Sequence, residues 1–124
     1  MNKKILSAVL IGIAVVAAGA IYLFVKKDTN QLPANKQIYF YGEGCSHCAN
    51  VDTFISDNKI EEKISFEKKE VFNDTNNAQE LVTVGQKCGL PANEVGAVPL
   101  FWDGAKCYVG DTDIIDYLKG KVGL

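Results

Sequence analysis

The chain has 124 residues, 48% of them hydrophobic and 23% charged, a length that holds one domain and little else. Its 13 basic residues are all Lys; once Lys3, Lys4, Lys26 and Lys27 are set aside, nine face all 15 acids in residues 28–124, a net charge of −6. With no Arg fork and no basic stripe, the body argues against nucleic acid as a partner, and apolar residues recurring to the end of the chain argue against disorder.

Ile5–Val25 carries no charged side chain. As a helix its 21 residues span about 30 Å, the hydrocarbon thickness of a bilayer. Tyr22 and Phe24 lie near the far end, where aromatic belts sit. The sequence predicts an uncleaved membrane anchor over residues 1–27. The rival reading is a signal peptide with a charged start at Lys3 and Lys4 and a small-residue site at Ala18-Gly19-Ala20. Against cleavage, the apolar run continues through Ile21–Val25. An N-terminal anchor with its short tail in the cytoplasm would place the rest of the chain on the extracytoplasmic side.

Residues 28–36 read as a polar linker, and residues 37–124 as the domain. Gln37–Tyr41 is a β-branched and aromatic run stopped by Gly42 and Gly44, hence a strand and a turn. Val51, Phe54 and Ile55 give helical spacing over Cys48–Asn58. Ile64, Phe66 and Val71, with Lys68 and Lys69 between, suggest a second strand with one wet side. Asn77–Cys88 reads as a helix, ended by Gly89 and Pro91. Val98–Trp102 and Ala105–Val109 flank Asp103-Gly104, a hairpin signal, with Phe101 and Trp102 read as core packing. Asp111 can cap a last helix that buries Ile114, Ile115 and Leu118. The expected order is β-α-β-α-β-β-α, an α/β fold with a central mixed four-stranded sheet and three flanking helices. Helical connections imply that the first three strands lie parallel, with the hairpin turning the last one antiparallel.

The chemistry concentrates at Cys45-Ser46-His47-Cys48, between the first strand and the first helix of the body. Two cysteines three apart on a helix's opening turn can close a small disulfide. The unpaired N–H groups there favour a thiolate on Cys45, and a protonated His47 would favour it further. A stabilised thiolate makes the corresponding disulfide more oxidising. Cys48, one turn in, is the natural resolving thiol. The competing reading is a zinc site completed by Cys88, Cys107 and His47, although such sites usually repeat the short pair.

A CxxC at a strand-to-helix junction in this element order, with Val98-Pro99 opening the third strand, resembles the thioredoxin superfamily over residues 37 to about 121, at glutaredoxin size. The resemblance implies that Pro99 is a cis-proline against the disulfide and that Val98 offers its backbone to a substrate chain. His47 directly before the second cysteine resembles disulfide-forming oxidases of the DsbA type, at the motif only. Ala97-Val98-Pro99 and Gly110–Ile114 are similar to the glutaredoxin segments that hold glutathione, with Asp111 and Asp113 at the matching positions; the plainer role for those two is helix capping. Two departures stand out: Tyr39 replaces the buried acid that thioredoxins carry six residues before the nucleophile, and Gly44 replaces the usual tryptophan. Glu43 lies close enough in sequence to oppose His47.

Cys88 and Cys107 flank the proline loop. A structural disulfide there suits an oxidising compartment and would contribute about 3 kcal/mol; two separate thiols, or a second exchanging dithiol, are the alternatives. The expectation is a membrane-anchored thiol–disulfide oxidoreductase acting on cysteine-bearing extracytoplasmic proteins through Cys45 and Cys48. It would need no metal or organic cofactor, glutathione being the one co-substrate the resemblance admits and a membrane redox protein the other candidate partner. The alternative from another class is a tethered binding module with structural cysteines.

Overall fold

The structure is a computed structural model that describes residues 2–25 and 35–124, the side chains of 21–25 excepted. The chain divides into two units, residues 1–31 and 32–124. In the first, Lys3–Val25 forms one helix, α1. Its segment Lys3–Ala20 is long and apolar enough to cross a membrane, a test that a signal sequence passes equally. Ser7 donates its hydroxyl to the Lys3 carbonyl, so this polar side chain is satisfied within the helix. The side chains of Tyr22 and Phe24, and residues 28–34 of the expected linker, lie outside the described residues.

The second unit runs β1 (Ile38–Tyr41), α2 (Ser46–Asp57), α3 (Ile60–Lys63), β2 (Glu67–Glu70), α4 (Thr75–Lys87), β3 (Leu100–Trp102), β4 (Cys107–Val109) and α5 (Asp111–Val122). The strands form one mixed sheet in the order β2-β1-β3-β4. Alternation along the central strands builds two cores, because successive side chains leave opposite faces. Ile38 and Phe40 of β1, with Leu100 and Trp102 of β3, meet Leu81 and Val84 of α4. Tyr39 and Phe101 meet Val51 and Ile55 of α2, Ile60 of α3, and Ile114 and Leu118 of α5. Phe101 and Trp102 are therefore core residues, both buried. Each such apolar side chain stabilises the fold by about 1.5–3 kcal/mol.

Three expectations need correction. The third strand is not parallel to the first: β1 pairs parallel with β2 but antiparallel with β3, with Phe40 opposite Leu100. A helix alone would return the chain for a parallel strand, but residues 88–99 intervene. They fold through the Leu90 N–H to Gly85 and Glu94 N–H to Pro91 carbonyl bonds, and deliver Leu100 at the end of β1 from which Cys45 follows.

Second, the strand expected around Lys68 and Lys69 with one wet side is shorter than its apolar residues suggested: β2 is the charged segment Glu67–Glu70. Ile64 and Phe66 before it join the Tyr39 core, and Val71 after it joins the other. Charged residues on an edge strand also discourage pairing with another sheet.

Third, among the described residues four helices of the second unit flank the sheet rather than three. Lys59, in the left-handed conformation with φ 51°, turns the chain from α2 into the short α3, which buries Ile60. The hairpin is also longer than a two-residue turn: Asp103 Oδ1 accepts the N–H groups of Ala105 and Lys106, closing a loop over residues 103–106.

Candidate functional site

Helix α2 begins earlier than its apolar spacing suggests, because Cys45 itself is the N-cap. Its Sγ accepts the Cys48 N–H at 3.1 Å, the contact that a capping oxygen ordinarily makes. Cys45 and Cys48 are joined as a disulfide with Cα atoms 5.2 Å apart. Cys45 is partly exposed, whereas Cys48 is 1% exposed. The more exposed cysteine thus stands at the positive end of a helix, and the buried one lies a turn inside. When the bond opens, negative charge on Cys45 Sγ already faces an N–H donor and the helix dipole.

The Val98–Pro99 peptide bond is cis, and the Val98 carbonyl oxygen lies 4.0 Å from Cys45 Sγ. Pro99 is buried, and its own carbonyl accepts the Gly110 N–H that leads into α5. The proline loop, the disulfide and the start of α5 therefore share one end of the sheet. Tyr41, Gly42, Glu43, Gly44, Ser46 and Asp52 line a cleft that reaches both cysteines.

Asp111 does not cap α5. The N-cap is Gly110, at φ 89°, a left-handed conformation that a side chain rarely adopts. Asp111 becomes the first helical residue, and its carboxylate reaches α2. It accepts from Asn50 Nδ2 at 2.6 Å and lies 3.1 Å from His47 Nδ1. The Asn50 hydrogen bond first, and then that of His47, hold the Asp111 carboxyl down at about 2. Asp113 is exposed in the same turn.

Glu43 lines the cleft together with Cys45. Its carboxylate accepts from Asn73 Nδ2 at 3.4 Å, and its main-chain N–H donates to Glu70. Tyr39, where a buried acid was the reference, donates its hydroxyl to the Cys48 carbonyl. Asn50 and Glu70 escaped the sequence reading. The one usable signal for Asn50 was its position three residues after His47, on the same helix face.

Cys88, the C-cap of α4, is joined to Cys107 of β4, with Cα atoms 6.0 Å apart. That link closes the segment carrying Val98 and Pro99. Among the described residues every cysteine is in a disulfide, and no group of three or more His, Cys, Asp or Glu is arranged to hold a metal ion. Comparison with protein-family models and with curated proteins returned no match.

Proposed function

We propose that the chain is a membrane-anchored thiol–disulfide oxidoreductase of thioredoxin-like fold, with residues 1–27 as anchor, 28–36 as linker and 37–124 as catalytic domain. The observation that carries the reading is the asymmetric Cys45–Cys48 disulfide at the N-terminus of α2, one cysteine partly exposed and the other buried. A substrate thiolate attacks Cys45 Sγ; the Cys45–Cys48 bond breaks, its electron pair leaves on Cys48, and a mixed disulfide forms. A second substrate thiolate then displaces Cys45, so the substrate dithiol ends oxidised and the enzyme pair reduced. The reverse sequence, begun by the Cys45 thiolate and completed by Cys48, reduces a substrate disulfide.

In this reading Cys45 is the nucleophile, Cys48 the resolving thiol and His47 the modulator. Pro99 shapes the docking site and Val98 offers its backbone. The substrates are cysteine-bearing proteins outside the cytoplasm, and the redox group is the cysteine pair itself. Use of glutathione is less well supported, because Asp111 is already engaged by Asn50 and His47, leaving Asp113 for such a ligand.

The test is the reduction potential of Cys45–Cys48 in the full chain, in mild detergent, against glutathione buffers. A value of about −120 to −180 mV marks an oxidase or isomerase, and one near about −270 mV marks a reductase. A pair that forms no disulfide at any poise, or a Cys45→Ser variant that still exchanges disulfides, overturns the enzyme and favours the binding module. For the placement, a C-terminal alkaline-phosphatase fusion should be active; a fluorescent fusion without phosphatase activity places the domain inside.

A further inference from the structure

Asp111 gathers three donors from two helices. Oδ2 accepts from Asn50 Nδ2 and lies at hydrogen-bond distance from His47 Nδ1, while Oδ1 accepts the Thr112 N–H at 3.0 Å. A carboxylate, being an acceptor only, is the side chain that satisfies such a set. His47 and Asn50 are three residues apart, so they present both contacts from one face of α2.

The imidazole has no other hydrogen-bond partner among the described residues, and the His47 side chain is 70% exposed. With Nδ1 committed to Asp111, the ring orientation is set and Nε2 is the nitrogen left over. Without that contact the ring would swing through solvent. A mobile, hydrated group exerts a weaker average field on a neighbouring sulfur than a fixed one, because distance and salt both attenuate it. Glu43 is directed to Asn73, and Asp113 is exposed one residue beyond Thr112.

We infer that Asp111 is a positioning residue for disulfide exchange: from the start of α5 it holds His47 at the opening turn of α2, and so sets how strongly the imidazole favours the Cys45 thiolate. Asn50 steadies the same carboxylate. The inference rests on the redox reading above, and it ties the reactivity of the cysteine pair to a helix that begins 66 residues later in the chain.

The experiment follows iodoacetamide labelling of Cys45 against pH in the reduced full chain, in mild detergent, with the modified peptide read by mass. Below the thiol pKa the rate tracks the thiolate fraction, so a shift of half to one pH unit changes it by about three- to tenfold. Asp111→Ala should slow labelling by that factor and move the profile to higher pH, and Asp111→Glu should recover most of the rate. Asn50→Ala, which leaves both partners in place, should give a smaller slowing. In a His47→Ala background, Asp111→Ala should leave the rate unchanged or faster. Equal slowing in both backgrounds would make Asp111 a purely structural residue, and no slowing by Asp111→Ala in the chain that retains His47 would also overturn the proposal. Labelling reports on thiols whether or not the pair turns over. A chain that shows the expected profiles but exchanges no disulfide would therefore overturn the enzyme reading alone.

Discussion

The Tyr39 hydroxyl, on the central strand, donates a hydrogen bond across 3.2 Å to the main-chain carbonyl of Cys48. It joins the floor of the sheet to the enclosed half of the CxxC pair. Tyr39 is fully buried, and that burial, ahead of the nearby Asp52 charge, pushes its hydroxyl above the ordinary tyrosine range. At neutral pH it is a fixed donor and cannot serve as the base that a carboxylate would supply. Tyr39→Phe should cost about 1 kcal/mol, the net worth of one neutral hydrogen bond, as read by urea denaturation. The pH profile of Cys45 labelling should stay where it is; an appreciable shift would show that the phenol takes part in proton handling.

Three of the tyrosines predict the alkaline limit of the fold. Burial raises Tyr39, Tyr108 and Tyr117 above 10.0, helped at Tyr108 and Tyr117 by Asp103, and Tyr117 reaches about 12. Tyr108 and Tyr117 stack with centroids 4.2 Å apart. A folded-state pKa above the unfolded one stabilises the protein fully below pH 10, and that contribution is lost as pH rises toward the folded values. Urea stability should therefore decline above pH 10. Tyrosinate absorbance should rise in two stages, the second coinciding with unfolding; a single ordinary titration in the folded chain would contradict the burial.

The elements whose signals are local were legible in the sequence. The aromatic run of β1, the helical spacing of Val51 and Ile55, and the start of the hairpin at Asp103 each lie within a few residues. The antiparallel β3 was not legible, because its direction depends on the path of residues 88–99. The second strand was legible around Lys68 and Lys69 but its bounds were not, because the paired segment Glu67–Glu70 sits at the sheet edge while its apolar neighbours Ile64, Phe66 and Val71 do the packing. The partner of His47 was invisible for a related reason. Gly110 and Asp111 can both begin a helix, and only the placement of α5 beside α2 decides that Gly110 caps it and Asp111 reaches across 64 residues.

The Cys88–Cys107 bond closes a loop that contains the proline segment, with a sequence separation of 19. In the chain-entropy account a loop of that length contributes about 3 kcal/mol by restricting the unfolded chain. Cys88→Ala with Cys107→Ala should lower stability by about that amount in chemical denaturation. It should leave the Cys45–Cys48 pair able to form. Without reductant, neither Cys88 nor Cys107 should label with iodoacetamide; labelling at both would exclude the bond as a structural element.

Glu70, at the end of β2, ties two loops together beside the cysteine pair. Its carboxylate accepts the main-chain N–H groups of Phe72, Asn73 and Glu43, and a Cβ at Gly42 would overlap the Phe72 ring. Desolvation opposes the charge, but the N–H donors of Asn73, Phe72 and Glu43 outweigh it and hold the carboxyl below 4.5. A depressed folded-state pKa stabilises above the unfolded value, and the contribution disappears as pH falls through the folded one. Glu70→Ala should accelerate hydrogen exchange at the Phe72, Asn73 and Glu43 amides, with little effect at Val84 in the core. Acidification of the wild-type chain below pH 4.5 should lower the protection factors of the same three amides together, once the slower intrinsic exchange at low pH is divided out. Exchange that rises evenly across the domain would instead assign Glu70 to global stability, and would leave the two loops held by their own backbone.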